Sequence, residues 1–316
     1  MMKRRPKADI TVRICSYNRS SYLREALVSV LKQNVIPETI EIFDNASKPE
    51  VYETIRDLIG KKISFNTLPE NVGGILNIQR AFYGVKTKYL YIMHDDDRIL
   101  PDFLSTQIAF LERNEGCVAV SCNSIYINEE GEPIAGQWLP TGPGDKIFST
   151  QRELALFYAE AFLGFPGFVY RSEAIAPLKF RRELGKACDV GLILDLGESG
   201  SIGFQNKNLL EYRIHSNQDS LYFSERIIKS LFDFLSSFLT RNDPETRRFR
   251  KRYRIRLKNT FIANVRMGKS GWNEFFWLCS FADLELLFRI FAGFSRILLK
   301  KIRDFFSLSR TDSQAK

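Results

Sequence analysis

Short apolar runs and helical stripes alternate along the first hundred residues. Ile10-Thr11-Val12-Arg13-Ile14-Cys15 reads as a strand, because β-branched side chains suit a pleated, packed surface. Ser16-Tyr17-Asn18-Arg19-Ser20 breaks it. Ser20 or Ser21 then offers an N-cap for a helix through Gln33, with Leu23, Ala26, Leu27, Val30 and Leu31 on one face. Residues 40–43 form a second strand ending in Asp44-Asn45-Ala46-Ser47. A helix over about 49–60, a short strand at 63–65, the polar turn Asn71-Val72-Gly73-Gly74 and a helix to about Lys86 follow. The fourth strand, residues 89–93, runs into His94 and then three carboxylates, Asp95-Asp96-Asp97. This alternation predicts an α/β fold, a mostly parallel sheet covered by helices on both faces. Parallel strands would bring the polar loops to one sheet edge beside the acidic cluster, where open α/β sheets bind ligands.

Beyond Pro101 a helix to about Asn114 and a strand at 117–122 are predicted, then a hairpin and irregular loop over 123–148 with a turn at Glu130-Gly131. A helix around 152–161 precedes Gly164-Phe165-Pro166-Gly167, and a later helix carries Asp189 in its first turn. Two short strands, about 201–205 and 209–214, lead to His215. From Leu221 the pattern changes to long helices, which divides the chain into 1–224 and an α-helical C-terminal extension, 225–316. Within the extension Leu284, Leu287, Phe288, Phe291, Phe294, Leu298, Ile302 and Phe305 recur at helical spacing. Glu285, Arg289, Arg296, Lys300 and Arg303 lie off that stripe, as in an amphipathic helix with a cationic polar side.

Charge sharpens the division. The net charge is +9, yet residues 225–316 hold 20 Lys+Arg against 9 Asp+Glu, and residues 1–224 hold 26 against 28. The basic character belongs to the extension, most densely over 247–258, and fits an anionic membrane surface or nucleic acid. A hydrophobic fraction of 44% with 26 Phe is enough for a sizeable core. Five cysteines without a CxxC spacing give no disulfide framework or zinc site. With two histidines in the chain, any metal must be held mainly by oxygen. No 18-residue apolar run predicts a spanning helix, and no apolar segment follows the basic N-terminus as in a signal peptide. A cytoplasmic location is the expectation.

Three adjacent carboxylates repel one another, so the cluster calls for a hard divalent cation, which in turn favours phosphates. Taken in order, Ile14-Cys15-Ser16-Tyr17-Asn18-Arg19, Asp44-Asn45-Ala46-Ser47, Asn71-Val72-Gly73-Gly74 and Asp95-Asp96-Asp97 resemble the family 2 glycosyltransferases of the Rossmann-like GT-A fold. The likeness continues through Gly167, Arg171, Cys188-Asp189-Val190-Gly191-Leu192 and Tyr212-Arg213-Ile214-His215-Ser216-Asn217-Gln218-Asp219-Ser220, covering roughly residues 8–220.

The resemblance implies inverting transfer of a sugar from a nucleotide-sugar, with a UDP-sugar favoured, to a saccharide or lipid-linked acceptor in surface polysaccharide assembly. It implies that Ser16, Tyr17, Arg19, Asp44, Asn71, Gly73, Asp95 and Asp96 bind the nucleotide-sugar. Asp97 and His215 would hold Mn2+ or Mg2+, and Asp189 would be the catalytic base. Chemistry agrees with that set: the diphosphate leaves more readily when a cation neutralises it, and a carboxylate must take the acceptor's proton. Peripheral contact with the inner face of the cytoplasmic membrane is the expected role of the C-terminal helices, and no nucleic acid is expected.

Two departures stand out. Cys15-Ser16 replaces the family's usual Pro and small residue, and Cys188 stands where a Glu often precedes the base. Alternatives remain at this stage. Asp189 could be a helix N-terminal carboxylate, with Asp195 and Glu198 as rival bases. Arg80 and Arg213 could hold phosphate or be solvated. A nucleotidyltransferase would need a Gly-rich first loop, and Ser16–Ser20 has no glycine. A non-catalytic membrane or nucleic-acid adaptor would not need the acidic residues at all.

Overall fold

The structure is a computed structural model that describes residues 5–139, 144–160, 163–175, 178, 180–216, 218, 223–270, 272–279 and 295. The predicted amphipathic stripe over 281–306 lies outside the described residues save for position 295, as do Asn217, Asp219 and Ser220. The chain forms two compact units, residues 1–221 and 222–316.

Ten described strands make the sheet of the first unit: β1 (Lys7–Ser16), β2 (Ile36–Asp44), β3 (Ile63–Thr67), β4 (Tyr89–His94), β5 (Arg98–Ile99), β6 (Cys117–Ile127), β7 (Pro133–Gln137), β8 (Lys146–Phe148), β9 (Val169–Arg171) and β10 (Ser201–Arg213). Their order is β3-β2-β1-β4-β9-β6-β10-β5, with β7 against β6 and β8 against β10. The helices are α1 (Ser20–Leu31), α2 (Pro49–Glu53), α3 (Gly74–Arg80), α4 (Phe103–Arg113), α5 (Gln151–Glu160), α6 (Ser172–Ile175) and α7 (Cys188–Leu196).

The first four strands are mutually parallel, so their C-terminal ends share one edge. Ser16 pairs with Asp44, Asp44 with Thr67 and Cys15 with His94, which aligns the three polar loops and the acidic cluster. The core beneath them joins Leu23, Ala26, Leu27 and Val30 of α1, Phe103, Leu104, Phe110 and Leu111 of α4, and Tyr89, Tyr91 and Met93 of β4. These are the α1 positions that helical spacing selects; Leu31 packs at their margin.

Several elements differ from the sequence expectation. Arg19, not a serine, occupies the N-cap of α1, with no side-chain cap. Asn18 before it takes φ +53, a left-handed turn that Asn tolerates better than most residues. The helix predicted over 49–60 is α2 followed by a 3-10 turn at Arg56–Leu58, and α3 stops at Arg80 rather than near Lys86. β10 is one strand where two were expected, because its pairing with β6 continues through irregular register between Gln205 and Leu210. β9 enters between β4 and β6 antiparallel to both.

The second unit contains α8 (Glu225–Ser237), α9 (Pro244–Arg266) and α10 (Trp272–Cys279). Ser224 Oγ caps α8 by accepting from the Ile227 N–H, and Asp243 Oδ1 caps α9 by accepting from Thr246 N–H. Ile228, Leu257, Phe261, Val265, Phe275 and Leu278 make its core. Buried Glu225 accepts hydrogen bonds from Asn264 Nδ2 and Ser270 Oγ within it. The crowded cations over 247–258 ride on α9, which buries Phe249, Tyr253 and Leu257. Among the described residues no helix is long and apolar enough to cross a membrane.

Candidate active site

Two cross-linked loops form one side of the cleft edge. Asn18 N–H donates to Ser47 Oγ at 2.8 Å, and Asn18 Oδ1 accepts from Lys48 N–H at 2.9 Å. Asn45 reaches the third loop, donating to Asn71 Oδ1 and accepting from Val72 N–H. Asn71 Oδ1 also accepts from Gly73 N–H, where the backbone turns through φ +87. Glycine alone takes that angle without strain. Asn71 and Gly73 therefore shape the loop through their own hydrogen bonds. Ala46, at φ +61, is held left-handed between these contacts, the kind of strain that collects at functional sites.

Asp44 ends β2 and is 1% exposed. Its Oδ2 accepts from Thr67 Oγ1 at 2.7 Å and Ser47 N–H at 2.9 Å. Its Oδ1 is buried without a hydrogen-bond partner among the described residues. Such an oxygen costs about 1–3 kcal/mol unless a ligand supplies a donor. Arg80 Nη2 donates to the Asp44 and Asn66 carbonyls and the guanidinium lies over Phe43, while its buried Nε has no hydrogen-bond partner among the described residues.

The three aspartates separate by their partners. Asp95 Oδ2 accepts from Ser16 Oγ at 2.9 Å and Tyr17 N–H at 3.0 Å, and its Oδ1 accepts from Arg19 at 3.0 Å. Burial pushes the Asp95 carboxyl up to about 6, with Asp96 adding to the rise and Arg19 opposing it. Asp96 Oδ2 meets Arg19 and His215 Nε2, both at 2.9 Å. Burial would raise its pKa, but the His215 hydrogen bond and the charges of His94 and Arg19 outweigh burial and hold it below the usual carboxylate range. Asp97 Oδ1 accepts from Arg213 N–H at 3.0 Å, and its buried Oδ2 has no hydrogen-bond partner among the described residues. Burial, and then the Asp96 charge, push Asp97 well above its ordinary value.

His94, Asp96 and Asp97 offer ligand atoms that all lie within 4.8 Å of one another. The open Asp97 oxygen and this spacing fit a divalent cation. His94 was absent from the sequence-based site. A histidine closing an apolar run looks like strand, and only the fold shows it beside Asp97. His215, expected as a ligand, directs Nε2 to Asp96 and stacks obliquely near Tyr22.

Arg213 is wholly buried and structural. It donates to the carbonyls of Asp96, Asn128 and Glu129 and pairs with Glu25 at 2.6 Å. Arg171 likewise fastens β9, donating to the carbonyls of Cys117 and Leu111.

Asp189 is the second residue of α7, where Oδ1 accepts from Val190 N–H. Burial pushes its carboxyl up to about 6, against the favourable backbone hydrogen bonds. The rival Asp195 is locked in a two-point ion pair with Arg181 at 2.8 and 3.0 Å. Glu198 accepts from Gln151. An aromatic chain connects the base candidate to the acidic cluster. Asp189 lies within electrostatic reach of Tyr170, Tyr170 packs on Phe82, Phe82 on Phe165, and Phe165 stacks on His94.

A parallel α/β half-sheet with its acidic cluster and polar loops at one edge is the arrangement of the GT-A fold. Comparison with solved structures bears out the fold. *S. aureus* TarS residues 1–349 in complex with UDP-GlcNAc superimposes with a TM-score of 0.56 at 15% identity, covering 90% of this chain and 79% of that one. Against the longer TarS structure the chain covers 43% of the length, at a TM-score of 0.54 and 16% identity. An uncharacterised glycosyltransferase of *Haemophilus influenzae* is 22% identical over 223 residues, 68% of each chain. The profile of glycosyl transferase family 2 matches residues 11–178. The chain belongs to that family, and is a glycosyltransferase.

Proposed function

We propose that the protein transfers a sugar from a UDP-sugar to an acceptor hydroxyl with inversion at the anomeric carbon. The observation that carries this reading is a pair of buried carboxylate oxygens without a hydrogen-bond partner among the described residues, Asp44 Oδ1 at the end of β2 and Asp97 Oδ2 just beyond β4, two strands that flank β1 and run parallel to it. One awaits a donor and the other a cation, as a nucleoside diphosphate with its metal would provide. Asp44 receives the N–H or hydroxyl of the nucleoside. Asp95 holds the first loop, with Ser16, Tyr17 and Arg19, along the nucleotide. Asn71 and Gly73 support its far side.

Asp97 and Asp96 would hold the cation, and His215 orients Asp96 through its 2.9 Å contact. The cation, when bound, neutralises charge on the departing diphosphate. Asp189 takes the acceptor's proton as its oxygen bonds to the anomeric carbon; the bond to the diphosphate breaks and carries its electron pair away. With a pKa of about 6, Asp189 is ionised at neutral pH yet basic enough to share a proton in the transition state. One base and one displacement give inversion without a covalent intermediate.

A UDP-linked donor is supported by the TarS structure in complex with UDP-GlcNAc. The acceptor is a saccharide, lipid-linked in surface polysaccharide assembly. The basic extension meets the anionic inner face of the cytoplasmic membrane. The deciding experiment is thermal-shift and calorimetric titration of nucleotide-sugars with and without Mn2+. UDP-sugars are expected to bind, more tightly with the metal, and to release UDP slowly by hydrolysis. Equal indifference to all nucleotide-sugars would overturn the reading.

A further inference from the structure

The cluster at the end of β4 sets an imidazole beside two carboxylates. We infer that His94 is a direct ligand of the cation and makes the site prefer transition metals such as Mn2+ and Co2+ over Mg2+. The inference rests on the proposal that a cation binds Asp96 and Asp97.

Three observations place His94 there. First, strand geometry fixes its direction. Side chains alternate along β4, and Tyr89, Tyr91 and Met93 all enter the core shared with α1 and α4, so His94 turns to the other face. Second, Phe165 holds the ring. The imidazole stacks on it with centroids 5.5 Å apart and planes 20° from parallel, restricting ring rotation. Third, its ligand atom lies within 4.8 Å of those of Asp96 and Asp97, and Asp97 brings a 1%-exposed carboxylate with an unpartnered oxygen.

Asp95 and His215 make contacts of another kind. Asp95 has both oxygens engaged, by Ser16, Tyr17 and Arg19. His215 presents Nε2 to Asp96 at 2.9 Å. That contact has the geometry of an outer group that fixes a ligating carboxylate. The ligand atoms that lie together are those of one imidazole and two carboxylates, His94, Asp96 and Asp97.

Donor type then sets selectivity. Mg2+ takes oxygen ligands in near-ideal octahedral geometry and parts reluctantly with water. An imidazole nitrogen suits first-row transition metals, and the divalent series strengthens from Mn2+ through Co2+ to Ni2+. A site with one nitrogen should therefore discriminate against Mg2+, whereas an aspartate triad would not.

The test uses the full chain with Mn2+ as the probe, with and without UDP. Pulsed electron paramagnetic resonance of bound Mn2+ should show the 14N coupling of one coordinated imidazole. That coupling should persist in His215→Gln and vanish in His94→Gln. In competition titrations, His94→Asp should move the Mn2+/Mg2+ affinity ratio toward Mg2+ by about tenfold or more. Circular dichroism of each variant checks folding, and His94→Asp keeps a ligand in place if His94→Gln folds poorly. Coupling retained in His94→Gln, coupling lost in His215→Gln or an unchanged ratio would each overturn the His94 assignment while leaving a cation site standing. Failure of Mn2+ to bind under either condition would remove the cation reading and this inference together.

Discussion

Asp189 combines a place in the first turn of a helix with a pKa raised by burial to about 6. A base works when deprotonated, so transfer should fall as pH drops through about 6 and level off above it. A kcat profile flat from pH 5 to 8 would speak against Asp189. Asp189→Asn should leave nucleotide-sugar binding within about twofold and lower kcat by about 10²–10⁴. Asp97→Ala, by contrast, should abolish both metal-dependent donor binding and turnover, as read by calorimetry and UDP release. Asp44→Ala should weaken UDP binding by roughly tenfold, since it removes an oxygen that has no other partner. Asp44 and the Asp95–Asp97 cluster were legible in the sequence because each closes an apolar run, whereas Asp189 was singled out by the family resemblance. Their division of labour was not legible, because the partners come from distant parts of the chain, Ser16 and Arg19 from the loop after β1 and Arg213 from the end of β10.

At the scale of elements, the first four strands could be read because each is a short apolar run closed by polar, turn-forming residues, and α1 because its apolar positions recur along one face. β5 and β9 could not, having two and three residues, too few to show alternation. β10 was divided in two because Asn206-Lys207-Asn208 looks like a turn, whereas in the sheet it is an irregularity of register. The same strand carries a sharp packing test. Gly203 faces α4, and a Cβ there would come 2.3 Å from the Phe110 ring. Gly203→Ala should therefore destabilise the fold by about 1–3 kcal/mol through overpacking. Chemical denaturation should show the loss, and Phe110→Leu should restore part of it in the double variant.

For the whole molecule, charge is the organising quantity. A nearly neutral catalytic region is joined to a helical extension with 20 Lys+Arg against 9 Asp+Glu. Each basic residue near an anionic leaflet contributes about 1 kcal/mol, and the attraction is screened within a Debye length. Full-length protein should float with vesicles containing phosphatidylserine or phosphatidylglycerol at low salt and dissociate as salt rises. A chain ending at Ser224 should stay behind. Equal flotation of both would exclude the extension as the attachment point. The division was visible in composition alone; how Glu225, Asn264 and Ser270 join in a buried polar cluster was not.

The antiparallel wedge β9 also sets a timetable for synthesis. Leu90 of β4 pairs with Tyr170 of β9, so one side of β4 lacks its neighbour until the ribosome has made some 75 further residues. At about 5–20 residues per second that interval lasts roughly 4–15 s. During it, the most apolar strand of the sheet presents an open edge able to pair with another nascent chain. Chaperone demand should therefore peak in mid-translation, and synonymous codons that slow decoding between residues 95 and 170 should lower the yield of folded enzyme without changing a single side chain.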